Sequence, residues 1–142
     1  MKRLKRQEGS NLVEFALVLP LLLILVMGIV EVGLAIYDKA VITNACREGA
    51  RAGIIFREQR LTTPEIQTVV QNYAGARLVT FSTTPALTVT PLWDDVDLNG
   101  VKSSGDTLTV TVSYQYDYLM LGNFIPGLGT LNLQSTSVMR YE

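Results

Sequence analysis

Twelve consecutive residues near the middle of the chain carry its clearest chemistry. Asp95-Val96-Asp97-Leu98-Asn99-Gly100-Val101-Lys102-Ser103-Ser104-Gly105-Asp106 sets oxygen-bearing side chains at loop positions 1, 3, 5, 9 and 12: Asp95, Asp97, Asn99, Ser103 and Asp106. Val101 adds a backbone carbonyl at position 7, and Gly100 holds position 6, where a calcium loop turns sharply. Calcium prefers hard oxygen ligands in a tight turn, so Ca2+ is the cofactor this spacing points to. Three features depart from the usual loop. Asp106 is shorter than a bidentate Glu, Lys102 adds positive charge, and the flanks read as strands rather than helices. The same residues also fit a tight hairpin, with a type I′ turn at Asn99-Gly100 pairing Trp93–Leu98 with Val101–Thr107.

Outside that loop there is little to catalyse with. The chain has 142 residues, no His and one Cys. That removes most hydrolase triads, most zinc sites, an internal disulfide and the usual neutral-pH general base. Asp94, Asp95 and Asp97 share one loop, where they suit a cation better than an acid–base cleft. The expectation is a protein that is not an enzyme. A net charge of −1 and a pI near 5.5 argue against nucleic acid as a partner.

The elements that position these residues are strongly zoned. Apolar residues make up 48% of the chain, and the mean hydropathy is +0.26, high for a small domain. Lys2, Arg3, Lys5 and Arg6 open the sequence, offset by Glu8. Phe15 to Val30 then carries no charge. As a helix that run is ~24 Å long, and counting past Glu31 to Tyr37 gives ~34 Å, enough to cross a bilayer with tilt. The run is apolar on every face, which a small soluble core could not surround. The basic cluster predicts a cytoplasmic N-terminus in the inner membrane, with the C-terminal part extracytoplasmic. A cleaved secretory signal would have to use Gly33-Leu34-Ala35, the nearest small-x-small site.

No turn signal separates this run from Asp38–Phe56, so the helix is expected to continue. Gly49 and Gly53 form a small-xxx-small pair there. Glycine inside a helix costs ~1 kcal/mol against alanine, so something should pack closely on that face. Arg47, Glu48 and Arg51 read as a solvated face. A second helix is predicted over Thr63–Leu78, with Thr63 as its cap and Ile66, Val69, Val70 and Tyr73 as its apolar stripe.

From Thr80 the pattern changes to strands: Ala86–Thr90, Thr107–Tyr116 and Leu131–Tyr141. In the second, Leu108, Val110, Val112, Tyr114 and Tyr116 share one face. Between the last two lies Leu119–Gly129, apolar and broken by Gly and Pro. It reads either as a contact surface for lipid or protein, or as a cover over the sheet. The predicted fold class is α+β. A basic leader (1–9) precedes a transmembrane helix (10–37), an extracytoplasmic extension of that helix (38–60), and a head (61–142) with a second helix and a small antiparallel sheet.

Gly9-Ser10-Asn11-Leu12-Val13-Glu14 after the basic leader resembles the class III signal peptide of type IV prepilins. The resemblance implies cleavage by a prepilin peptidase between Gly9 and Ser10. Glu14 then becomes the fifth mature residue, its carboxylate paired with the new amine of Ser10. Common pilins have Phe where this chain has Ser10. Three blocks in register are similar to the TadE-like family: Val13–Leu23, Gly28–Gly33, and Asn44–Arg51. That family comprises minor pilin-like proteins, or pseudopilins, of the tight-adherence (Flp) type IV pilus system. The resemblance implies a part that primes or caps a pilus, with other pilins or pseudopilins, the inner-membrane assembly platform and the lipid bilayer as partners. It also implies that Pro20 breaks the helix within the bilayer, freeing a carbonyl near Ala16, and that helix packing runs through Glu14, Pro20, Glu31, Gly49 and Gly53. Glu31, ~25 Å beyond Glu14 along the axis, is then a second membrane-border acid, either functional or simply hydrated. Cys46 is read as a small buried hydrophobe. The alternative is an uncleaved, membrane-anchored extracytoplasmic domain that binds a partner or assists assembly, stabilised by calcium.

Overall fold

Helix-forming residues without a turn signal run from the leader past Arg51, and they form one helix. In the computed structural model, α1 spans Leu4–Ile54, 51 residues, or ~76 Å. The structure describes residues 4–56, 60–79, 81, 87–125, 127 and 129–141, with backbone alone at 4–8, 123 and 124. Pro20 lies inside α1 without ending it, contrary to the break expected there. A proline deletes one i→i−4 hydrogen bond, and the turns on either side carry the helix across. The extension stops at Ile54 rather than at residue 60.

The second helix, α2, spans Thr63–Gly75. Its cap is Thr62, not Thr63 as the sequence reading had it. The Thr62 N–H donates to Glu65 Oε2 at 2.7 Å, which makes Glu65 the third helical residue and Pro64 the second. Ile66, Val70 and Ala74 are its buried face. Val69 stands beside that face, half-buried.

Three strands follow: β1 (Leu87–Asp94), β2 (Thr107–Asp117) and β3 (Thr130–Arg140), antiparallel in the order β1-β2-β3. Alternation in β2 is strict: Leu108, Val110, Val112, Tyr114 and Tyr116 are buried. Thr88, Thr90, Thr111, Ser113 and Thr136 fall on the opposite face. A short turn of helix, α3 (Leu121–Phe124), interrupts the β2–β3 connection.

The tight Asn99-Gly100 hairpin does not form. β1 stops at Asp94 and β2 begins at Thr107, leaving a 12-residue loop between them. A type I′ turn needs positive φ at both central residues. Here Leu98 and Gly100 have it, at 58° and 75°, and Asn99 does not.

The sheet and α2 both pack on the C-terminal half of α1. Its buried face runs Glu31, Ala35, Asp38, Ile42, Ala45, Gly49 and Gly53. Arg47, Glu48 and Arg51 point to solvent. Below Glu31, among the described residues, the helix is clad only near Gly28: from Gly9 to Val30 every other residue is exposed. This is an α+β head gripping the upper half of an otherwise bare helix, and α1 is long and apolar enough to cross a membrane.

Candidate functional site

Small residues let the head sit close on α1. A Cβ at Gly49 would lie 2.3 Å from Val70 Cγ2. One at Gly53 would lie 2.3 Å from Leu108 Cδ2 and 2.9 Å from Ile66 Cδ1. Both glycines thus face α2 and β2 of their own head. Cys46, on the same side, donates its thiol hydrogen to the Val110 carbonyl at 2.9 Å, and burial pushes its pKa up. It is a packed core residue whose thiol also lies 3.6 Å from the Ser135 carbonyl.

Two acids lie in this seam. Glu31 is only 4% exposed, so it is neither hydrated nor bare to lipid. Its Oε1 accepts the Met120 N–H and its Oε2 the Leu121 N–H, each at 2.9 Å. Its backbone carbonyl accepts the Tyr116 hydroxyl at 3.3 Å. Asp38 is fully buried; Oδ1 accepts the Val79 N–H at 2.9 Å, and Oδ2 has no hydrogen-bond partner among the described residues. Burial pushes the Asp38 pKa up, and the Val79 bond opposes the shift only in part. Burial also raises Tyr116, to about 12, helped by the charges of Glu31 and Asp38. Neither Asp38 nor Tyr116 stood out as polar groups in the sequence. The available signal was spacing: Glu31, Asp38 and Ala45 recur every seven residues and must share a face.

The loop between β2 and β3 does not cover the sheet. Its neck is closed by the Tyr118 N–H donating to the Gly129 carbonyl at 3.4 Å. From there α3 descends along α1, and a Cβ on Gly28 would meet Leu121 Cδ2 at 3.7 Å. An apolar cleft of about 360 Å³ lies between the two, lined by Pro20, Leu23, Ile24, Met27, Met120 and Leu121.

The calcium-type loop lies near Leu61, at the start of α2. Carboxylate oxygens of Asp95, Asp97 and Asp106 lie within 4.8 Å of one another. Asp95 Oδ2 accepts the Gly100 N–H at 2.7 Å, and Asp97 Oδ2 accepts Asn99 Nδ2 at 2.7 Å and the Ser103 hydroxyl at 3.2 Å. Lys102, expected to oppose a cation, instead donates to the Leu61 carbonyl at 3.1 Å. Asp106 differs from the other two acids. It is buried, its Oδ1 accepts the Val96 N–H, and its Oδ2 accepts the Ser103 N–H and Trp93 Nε1. The Ser103 N–H, followed by Val96 and Trp93, holds the Asp106 pKa below the ordinary carboxylate value despite burial. Asp106 is therefore already the brace of the loop, while Asp95 and Asp97 face outward with Asn99 and Ser103. Val101 is exposed beside them.

The remaining predicted residues stand apart. Gly9, Ser10, Glu14 and Pro20 are exposed on the bare part of α1, where no described head residue reaches the first three. Glu14 is one turn above Ser10 on the same face.

Residues 9–51 match the family model described as TadE-like protein. The match bears out the resemblance carried by the three sequence blocks. It covers α1 from the bare stretch through Arg51, and stops before Gly53, α2 and the sheet. No match was found among curated proteins or among solved structures.

Proposed function

We propose that this chain, TadE-like over residues 9–51, is a minor pilin or pseudopilin that primes or caps a tight-adherence pilus. The observation that carries the reading is the coincidence of the family match with a helix that is exposed from Gly9 to Val30 except at Gly28, where Leu121 packs. In this reading the N-terminus lies in the cytoplasm, the bare helix crosses the inner membrane, and the head is extracytoplasmic. A prepilin peptidase cuts after Gly9 and frees the amine of Ser10. That amine pairs with Glu14, in its own chain or a neighbour's, as the helix leaves lipid for a bundle of other pilins at the assembly platform. Pro20 softens the helix where neighbours pack. The protein's work is packing, not catalysis.

Co-expression with a prepilin peptidase, followed by intact-mass measurement, tests this. The expected product lacks residues 1–9, and Glu14→Ala abolishes pilus assembly. An unchanged mass, together with normal piliation by the Glu14 variant, sinks the reading in favour of an uncleaved anchored domain.

A second reading concerns the head. We propose that the Asp95–Asp106 loop takes Ca2+, because three carboxylates converge within 4.8 Å while Lys102 is turned away. Asp95, Asp97, Asn99, the Val101 carbonyl and Ser103 are its ligands, and Asp106 supplies charge from beneath. Calcium should raise the melting temperature and EDTA lower it, and Asp97→Asn should abolish both effects. No calcium heat in calorimetry ends the idea.

A further inference from the structure

We infer that the Met120–Ile125 segment inserts into the outer leaflet beside α1 and that lipid acyl chains fill the cleft between them. The inference rests on α1 crossing the bilayer. Three observations carry it.

The first is depth. Phe15–Val30, the charge-free stretch, is ~24 Å long and falls short of a ~30 Å hydrocarbon core. Past Glu31, Val32, Ile36 and Tyr37 still expose apolar surface, Val32 and Ile36 beside Leu131–Gln134 of the head. Leu121 sits against Gly28, within the charge-free stretch itself. The loop lies at lipid depth by its position on the helix.

The second is composition. Leu119–Gly129 contains no charged residue. Leu119 and Ile125 are about half exposed, Leu119 beside Phe81 of the head. Such surface is costly in water and suited to a leaflet. The cleft is lined by apolar side chains from α1 on one wall and by Met120 and Leu121 on the other.

The third is backbone accounting. Irregular backbone survives at membrane depth only if its polar groups find partners. Here the two N–H groups that open α3 are taken by the carboxylate of Glu31, and the Ile125 N–H by the Leu121 carbonyl. The neck is closed by the Tyr118–Gly129 bond. A carboxylate inside a membrane segment needs such a partner set, and this one has it in the loop. Glu31 is thus what lets the segment descend.

The test uses the full chain in phosphatidylethanolamine–phosphatidylglycerol vesicles whose acyl chains carry bromine, which quenches nearby tryptophan. Trp93, at the far end of the sheet opposite Leu108, is the internal reference. Ile125→Trp probes the loop, and Ile29→Trp probes the bare helix at nearly the same depth. Leu119→Trp is a second loop probe should Ile125→Trp disturb the fold. The expected result is a bromine-induced loss at position 125 or 119 equal to that at 29, with Trp93 unaffected. Quenching at 29 but not at the loop overturns the inference and leaves the membrane span standing. In that case access of aqueous iodide to the loop probe means that it faces water. Protection from both quenchers means that a second protein chain covers it. No quenching at 29 removes the membrane reading itself, and the inference with it.

Discussion

Gly49→Ala separates two opposed effects of known size. Alanine is a better helix former than glycine by about 1 kcal/mol in a helix interior. Taken alone, the substitution stabilises. The new methyl, however, would lie 2.3 Å from Val70 Cγ2, against the 3.5–4.0 Å of an ordinary carbon contact (about 1.2 Å of overlap at least). Val70 is fully buried in α2, where a β-branched side chain has one strongly preferred rotamer. It cannot swing aside, so α2 must lift and loosen Ile66 and Ala74 with it. Overpacking of this kind costs about 1–3 kcal/mol. The net expectation is a loss of about 0–2 kcal/mol, centred on about 1 kcal/mol or 5 °C in melting temperature for a head of this size. Thermal unfolding of the full chain in detergent, followed by circular dichroism, reads it. Gly75→Ala, where no atom lies within 4 Å, is the control and should melt at or above the parent. Gly53→Ala should cost less than Gly49→Ala, because Leu108 Cδ2 is the end of a flexible side chain. Adding Val70→Ala to Gly49→Ala should recover stability relative to the sum of the single changes. Gly49→Ala melting as high as Gly75→Ala would refute the close packing described for α1 and α2.

Three further outcomes are expected. Glu31→Gln sets an amide N–H against one of the two backbone donors of α3. It should weaken that attachment by about 1–3 kcal/mol, seen as faster amide exchange at Met120 and Leu121 in detergent with little change in the sheet. Asp38→Asn should raise the melting temperature at pH 7, since it keeps an acceptor for Val79 and removes the burial cost of a charge. A carboxyl whose folded pKa is raised loses stability as pH rises through that value, so the advantage should vanish in acid; a constant gain across pH would contradict the assignment. Tyr116 is raised from 10 to about 12. Its contribution is intact below pH 10 and lost between about pH 10 and 12, so Tyr116→Phe should flatten the fall in stability over that window.

Most of the architecture was legible where a period was strong. The alternation of Leu108 to Tyr116 gave β2 its inner face, and the uncharged run of Phe15–Val30 gave the bare helix. The cap of α2 was misplaced by one residue although Thr62-x-x-Glu65 was there to be read. Spacing to Glu65 distinguishes Thr62 from Thr63; propensity does not. The β1–β2 loop was ambiguous because Asn-Gly favours a tight turn locally, while the buried brace at Asp106 decides for the wider one. Glu31 was the largest surprise. Its charge marked it, but its partners are backbone amides about ninety residues away, and no periodicity in α1 points to them. Pro20 shows the opposite limit. The residue type predicted a break, and the length of uninterrupted helix on both sides outweighed one missing hydrogen bond.

The grip of the head on α1 begins at Glu31 and ends at Gly53, a clamp ~33 Å long on a rod more than twice that length. The boundary between clamped and free helix acts as a shoulder. If α1 crosses a bilayer as proposed, lifting the molecule out would strip lipid from the twelve Leu, Ile, Val and Phe residues of Phe15–Val30 together, at about 4–7 kcal/mol on a per-residue insertion scale. In the proposed reading, departure is a handover, in which a neighbouring apolar helix takes the place of lipid turn by turn.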